Sequence, residues 1–295
     1  MARAVIPFQT EDHTLQSCDG ESSVFLRHYS RGKPRLHFLL VHGAIEHSGR
    51  HTELISYLLR NYNEVAVTVY DNVGHGKSGG PRSYVPSFKV FIDDMLKVGE
   101  FVQSKNNERT KNFILSHSLG GLITLTRLLD TAYGWPFPVQ GIIFSSPCIK
   151  PHMALGNYSE PILHRLDKLL PKLHLPMIYK GIDLTRDPER ANAFDTDNLI
   201  PKYITVRFAR EIIDTSHKVR GLSYYFRVPS LFLIAGDDKI VDAESTFLFA
   251  HGIDKRLTEV IQYPEHRHEL WNELDRQDIF DTMKKWIERQ LKENP

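Results

Sequence analysis

Hydrophobic residues in this chain alternate between two spacings. Short apolar or β-branched runs occupy residues 36–41, 65–70, 113–115, 141–144, 231–235 and 259–263. Runs of this length suit strands buried on both faces of a parallel sheet. Between them, apolar positions recur every three or four residues, which predicts helices over 52–60, 88–103, 119 to about 133, 243–250 and 277–291. An antiparallel pair, 14–17 and 23–29 turned at Asp19-Gly20, is predicted ahead of them. Strands alternating with helices argue for an α/β fold with a mostly parallel central sheet covered by helices on both faces.

The alternation breaks once, after the sixth strand. Residues 148–226 read as helical, proline-punctuated and charged, with no clear strand. The expected organisation is a core of 1–147 and 227–295 with a helical lid, 148–226, inserted between them. In the lid, Ile162, Leu166, Leu169, Leu170 and Leu173 recur at helical spacing among Arg165, Lys168 and Lys172. Such a stripe can cover an acyl tunnel and touch a lipid surface, or it can simply pack on the core.

Composition narrows the classes. A formal net charge of +1 with no long basic stripe gives nucleic-acid binding no electrostatic support. No run of about 18 apolar residues occurs, and the first residues hold no signal-peptide core, so a cytoplasmic setting is expected. The two cysteines, Cys18 and Cys148, are far apart without metal-type spacing and read as free thiols. No H-E-x-x-H or Cys/His cluster points to a metal, and no cofactor is expected.

The chemistry concentrates at three strand ends. Ser116-His117-Ser118-Leu119-Gly120-Gly121 joins a predicted strand to a predicted helix. A nucleophile there needs a tight turn, with small residues two before and two after it. Gly120 fits, and Ser116 stands where a glycine is usual. A serine also needs a base, and the base an orienting carboxylate, in the order serine, acid, histidine. Asp237 and Asp238 follow one late strand; His266 and His268 follow the next. Spacing alone leaves both choices open. Oxyanion donors are expected from the N–H of Leu119 and, on the loop 42–50, from that of Ala44. The glycine-rich loop 71–80 matches neither a phosphate loop nor a dinucleotide fingerprint, so it reads as structural, with His75 outside the chemistry.

Five segments carry a resemblance across nearly the whole chain: HGAIEHSGRH (42–51), YDNVGHGKSGG (70–80), SHSLGG (116–121), AGDDKIVD (235–242) and HRHELWNE (266–273). They resemble the α/β-hydrolase superfamily and, more closely, its monoacylglycerol lipase and lysophospholipase family, the serine-aminopeptidase-like hydrolases. The resemblance implies Ser118 as nucleophile, Asp238 as acid, His268 as base, and Ala44 and Leu119 as oxyanion donors. It departs from the family pattern at Ser116.

The function implied is a cofactor-free serine ester hydrolase that removes a single acyl chain from a monoacylglycerol, with contact to a membrane or micelle through the lid as a further option. The alternatives are a lysophospholipase, a short-chain carboxylesterase, an aminopeptidase using Glu160 or Asp167 to hold a free amine, and a catalytically dead binding protein. Expected substrate contacts are Ile162, Leu166, Leu170 and Tyr179, with Glu46 and Arg50 as acceptor and donor for a glycerol head. Glu46 and Arg50 could instead pair with each other at i, i+4. A phosphocholine head would call for an aromatic cage, for which Tyr158, Tyr179, Tyr224 and Tyr225 are available.

Overall fold

The computed structural model describes residues 8–130, 134–152, 160–177 and 179–293. Expectations concerning residues 1–7, the end of the predicted helix at 131–133, Tyr158 and Ile178 lie outside these.

The hydrophobic runs become strands of one eight-stranded sheet. They are β1 (Gln9–Gln16), β2 (Ser23–Arg31), β3 (Leu36–Val41), β4 (Val65–Tyr70), β5 (Lys111–His117) and β6 (Val139–Ser145). After these, β7 (His174–Pro176) and β8 (Tyr203–Thr205) form a separate two-stranded ribbon. The main sheet resumes with β9 (Ser230–Ala235) and β10 (Thr258–Tyr263), in the order β1-β2-β4-β3-β5-β6-β9-β10. β2 runs antiparallel to both of its neighbours, β1 and β4; from β4 onward in this order every pairing is parallel.

Alternation within each strand explains why the runs must be apolar throughout. Leu36, Phe38 and Leu40 of β3 enter the core on one face, while Leu39 and Val41 enter the core on the other. On the first face lie α1 (Thr52–Asn61) and, at the chain's end, α9 (Arg276–Glu293). On the second lie α2 (Phe88–Lys105), α3 (Leu119–Leu129) and, after β9, α8 (Ala243–His251). The mostly parallel sheet with helices on both faces is therefore the observed architecture.

Between β6 and β9 runs the insert. Its first half holds α4 (Glu160–Leu169) and β7; its second half holds α5 (Gly181–Leu184) and α6 (Pro188–Thr196); β8 and α7 (Val206–Arg220) close it. The ribbon β7–β8 corrects the expectation that this region has no strand: at three residues each, its strands are too short to show a period of two. The α7 helix joins the main core through Phe208, Ile212 and Val219, and its opposite face supports Leu163 of α4 and Leu175 of β7.

Candidate active site

Ser118 sits at the turn between β5 and α3 with φ 50° and ψ −117°. A serine pays strain to adopt a positive φ, and such strain persists only where the surroundings enforce it. Here they do. A Cβ on Gly120 would lie 2.2 Å from the Val41 carbonyl oxygen, and one on Gly121 2.5 Å from Pro147. The turn is thus pressed against β3 and the end of β6, which projects Ser118 above the sheet edge. Ser116 fits because it is buried and its hydroxyl shares a hydrogen bond of 2.7 Å with Thr124 on α3. A glycine there is replaceable when the extra hydroxyl finds a partner.

Asp238 and His268, not Asp237 and His266, meet in space. His268 Nδ1 lies 2.7 Å from Asp238 Oδ2, and both side chains are buried. A carboxylate only accepts, so Nδ1 carries the hydrogen and Nε2 is left basic. The other oxygen of Asp238 accepts the N–H groups of Ile240 (2.7 Å) and Val241 (3.0 Å), which lock the carboxylate. Burial disfavours the charged imidazole, but Asp238, with Glu269 and Glu46 behind it, outweighs burial and holds His268 above the usual histidine value of 6.5. By contrast Asp237 pairs with Lys239, and His266 lies 2.8 Å from Asp275.

Ala44 and Leu119 both line the cavity at Ser118. Leu119 opens α3, so its N–H has no carbonyl of its own helix to bond and points from the positive end of the helix dipole. On the opposing loop, Gly43 is obligatory: a Cβ there would meet Glu46 Oε1 at 2.8 Å and Ser118 Cβ at 2.9 Å. Glu46 Oε1 accepts the Gly43 N–H at 2.5 Å. Burial opposes ionisation of Glu46, yet His51, 3.2 Å away, and then His117 and Arg50 hold its carboxyl well below the usual range. The loop 71–80 buttresses the same region, because Asp71 accepts the N–H groups of Ser48 and Lys77, each at 2.8 Å. His75 is buried there and donates to the Val73 carbonyl.

Two cavities meet at Ser118. The larger, about 690 Å³, is lined by Ile45, Met177, Ile204, Ile212, Ile213 and Ile240 among others, with no carboxylate among the described residues. The smaller, about 290 Å³, holds Glu46, His117, His268 and Glu269 together with Leu184 and Phe194. Tyr179 lines both, whereas His268 lines only the smaller one.

Several expected substrate contacts lie elsewhere. Ile162 and Leu170 are 44% and 53% exposed on the outside of the insert, and Leu166 packs beside Leu163 against α7. None of the three lines either cavity. The reason is a rotated stripe: α4 buries Leu163 and Asp167, one position off the expected set. Arg50 pairs with Glu269 at 2.5 Å and stacks on Phe194, so Glu46 and Arg50 do not pair with each other. Asp167 holds Arg207 and Arg210, and Glu160 lies 3.2 Å from His217, so neither faces the cavity as an amine anchor would. Tyr224 and Tyr225 are exposed and line neither cavity.

Two residues that matter here drew no attention in the sequence. Glu273 is fully buried and accepts from the backbone N–H of Arg267 (2.9 Å) and from the Arg186 side chain (3.0 Å). Glu269 enters the smaller cavity. The signal available was their place in HRHELWNE, next to His268. Among the described residues no group of three or more histidine, cysteine or acidic side chains could hold a metal ion, and no helix is long and apolar enough to cross a membrane.

Comparison with known proteins adds the lineage. The chain is 28% identical to an uncharacterized protein of Escherichia coli over 96% of this chain, and spans 46% of that protein's length. It is 29% identical to a monoglyceride lipase of Homo sapiens, covering 96% of this chain and 91% of the relative. A crystal structure of a soluble variant of monoglyceride lipase from Saccharomyces cerevisiae, in complex with a substrate analog, shares the fold with a TM-score of 0.81 at 20% identity, over 98% of this chain and 97% of that one. The family model described as serine aminopeptidase, S33, matches residues 32–275, and with the geometry above it makes this chain a member of that family of α/β-hydrolases.

Proposed function

We propose that the protein is a serine ester hydrolase that cleaves a single acyl chain from a monoacylglycerol. Ser118 Oγ attacks the ester carbonyl while His268 Nε2 takes its proton. The N–H groups of Ala44 and Leu119 receive the oxyanion. As the tetrahedral intermediate collapses, His268 returns the proton to the leaving alcohol oxygen, and an acyl-enzyme remains. Water, activated by the same imidazole, then releases the fatty acid.

The observation that carries this reading is the asymmetry of the two cavities. The alcohol must leave beside the group that protonates it, so its place is the small cavity containing His268. The acyl chain then takes the larger one, whose isoleucines and Met177 suit an alkyl chain. An aminopeptidase would need a charged partner for the free amine on this acyl side, and among the described residues no carboxylate lines it. The insert, roofing this cavity with Met177, Tyr179 and Ile204, serves as the lid, and its exposed Ile162, Leu169 and Leu170 support contact with a lipid surface. The monoglyceride lipases among the relatives support the same substrate class.

The test is one substrate panel: monoacylglycerol, lysophosphatidylcholine, a short aryl ester and a prolyl amide, ranked by kcat/KM with Ser118→Ala as the control. Monoacylglycerol is expected first and the amide last, and Ser118→Ala is expected to lose about 10³-fold or more. A tenfold preference for the lysophospholipid overturns the substrate; near-normal activity in Ser118→Ala overturns the mechanism.

A further inference from the structure

Resting on that reading, we infer that Glu269 determines the leaving group: it selects an alcohol that carries a further hydroxyl beside the ester and disfavours one that carries a phosphate. Glu269 directly follows His268, is buried, and lines the small cavity. Its backbone cannot drift, because its N–H donates to the Leu184 carbonyl at 2.8 Å. Its Oε2 is committed twice, to Arg50 Nη2 at 2.5 Å and to Asn272 Nδ2 at 2.9 Å. Its Oε1 takes no hydrogen bond from any described residue.

The neighbours do not offer an equivalent acceptor. Glu46 also lines this cavity, but its Oε1 is taken by the Gly43 N–H and its Oε2 is buried beside His51. Arg50 does not line the cavity; its guanidinium lies against the Phe194 ring, 4.8 Å from the centroid, and reaches the substrate only through Glu269. The alcohol therefore meets two carboxylates, the imidazoles of His117 and His268 and the Tyr179 ring, and among the described residues no lysine or arginine lines the cavity.

The ester oxygen has to lie within hydrogen-bond reach of His268 Nε2, so a hydroxyl on the adjoining carbons lies in the same small cavity that Glu269 lines. A hydroxyl donates to a carboxylate oxygen favourably, and a charged acceptor strengthens the bond. A phosphate in place of one of the glycerol hydroxyls removes that donor and brings negative charge toward Glu269 and Glu46 where little water screens it. A site built to bond a hydroxyl discriminates strongly against an analogue that lacks it.

The experiment compares three substrates with the same acyl chain: the glycerol ester, the methyl ester, and the ester of lysophosphatidic acid. The enzymes are wild type, Glu269→Gln and Glu269→Asp, with each variant's Tm measured first. In Glu269→Gln the amide oxygen will face the donors of Arg50 and Asn272, which turns the amide NH₂, a donor, toward the cavity. We expect the ratio of kcat/KM for glycerol ester over methyl ester to fall about tenfold in Glu269→Gln and to be largely restored in Glu269→Asp. The ratio for the phosphate ester over methyl ester rises in Glu269→Gln. Losses equal for glycerol and methyl esters would make Glu269 a merely structural partner of Arg50 and overturn the inference alone. Failure of the wild type to turn over the glycerol ester, while it cleaves the methyl ester, would overturn the monoacylglycerol reading and this inference together.

Discussion

The two halves of the insert meet the rest of the molecule differently. The second half is stitched to the loop that carries His268. Leu184 accepts the Glu269 N–H, Thr185 Oγ1 donates to the Asn272 carbonyl at 2.8 Å, Arg267 donates to the carbonyls of Ile182 and Thr185, and Arg186 pairs with buried Glu273. Farther along, Arg190 and Arg276 both engage Glu53, and Arg276 also holds Asp187 at 3.0 Å. Among the described residues the first half is tied mainly within the insert, where buried Asp167 holds Arg207 and Arg210 of α7. Its α4 packs through Leu163 and Leu166 on α7, and it leaves Ile162, Leu169, Leu170 and Leu173 exposed. One inserted segment thus contains a part bonded to the loop of His268 and a part that presents apolar surface. Both halves contain a buried charge, but Glu273 fixes the loop of His268, whereas Asp167 fixes only α7.

That contrast can be broken at Glu273. Glu273→Gln removes the charge that fixes the Arg267 backbone and Arg186, so the His268 loop should shift. We expect kcat/KM on a soluble short ester to fall about 100-fold, since small misplacements of a catalytic group are that costly. We expect thermal unfolding to show a loss of about 3 kcal/mol. Full activity in this variant would mean that the second half does not position the base.

The first half should respond in the opposite way. Replacing Ile162, Leu169 and Leu170 with serine is expected to cut activity on long-chain substrate in vesicles about tenfold and to change stability by no more than about 0.5 kcal/mol, as exposed positions do. Kinetics on vesicles beside kinetics on a soluble short ester check this, and equal losses on both would erase the difference between the halves.

A milder cut in the second half is Thr185→Val, which removes one hydrogen bond to the His268 loop. A loss of about 1 kcal/mol and a severalfold drop in kcat on the short ester are expected, with little change in KM. A rise in KM alone would place Thr185 in substrate binding instead.

The smallest effect is in pH dependence. His268 must be neutral to accept the serine proton, and it is held above 6.5, so kcat/KM should fall as pH drops through a midpoint above that value. The triple serine variant should keep this midpoint. Glu273→Gln should lower it, because a displaced loop weakens the contact with Asp238 that raises it. A midpoint below 6.5 in the wild type would contradict the electrostatic account of the site.

Much of the framework was legible in advance because it rests on local rules. The continuous run 36–41 and the small residues around Ser118 say the same thing locally and globally: a doubly covered strand, and a turn too crowded for a Cβ. The stripe of α4 was misread because Pro161 to Leu173 is apolar on more than one face, and spacing alone cannot say which face is covered. Leu163, the residue that is buried, lay outside the stripe chosen. The ribbon β7–β8 was invisible because its pairing joins residues about 30 apart in strands of three.

By itself, then, the sequence determined the order of strands and helices in the main sheet and its mostly parallel character, since each follows from the spacing of neighbouring residues. Only the tertiary structure decided which glutamate keeps a free oxygen at the small cavity and which one holds the loop of His268. Glu269 and Glu273 are four positions apart and alike in type. They differ only in what folds over them: Arg50 and an open cavity for the first, Arg186 and closed backbone for the second. Such differences arise from partners distant in sequence, and burial makes each partnership matter.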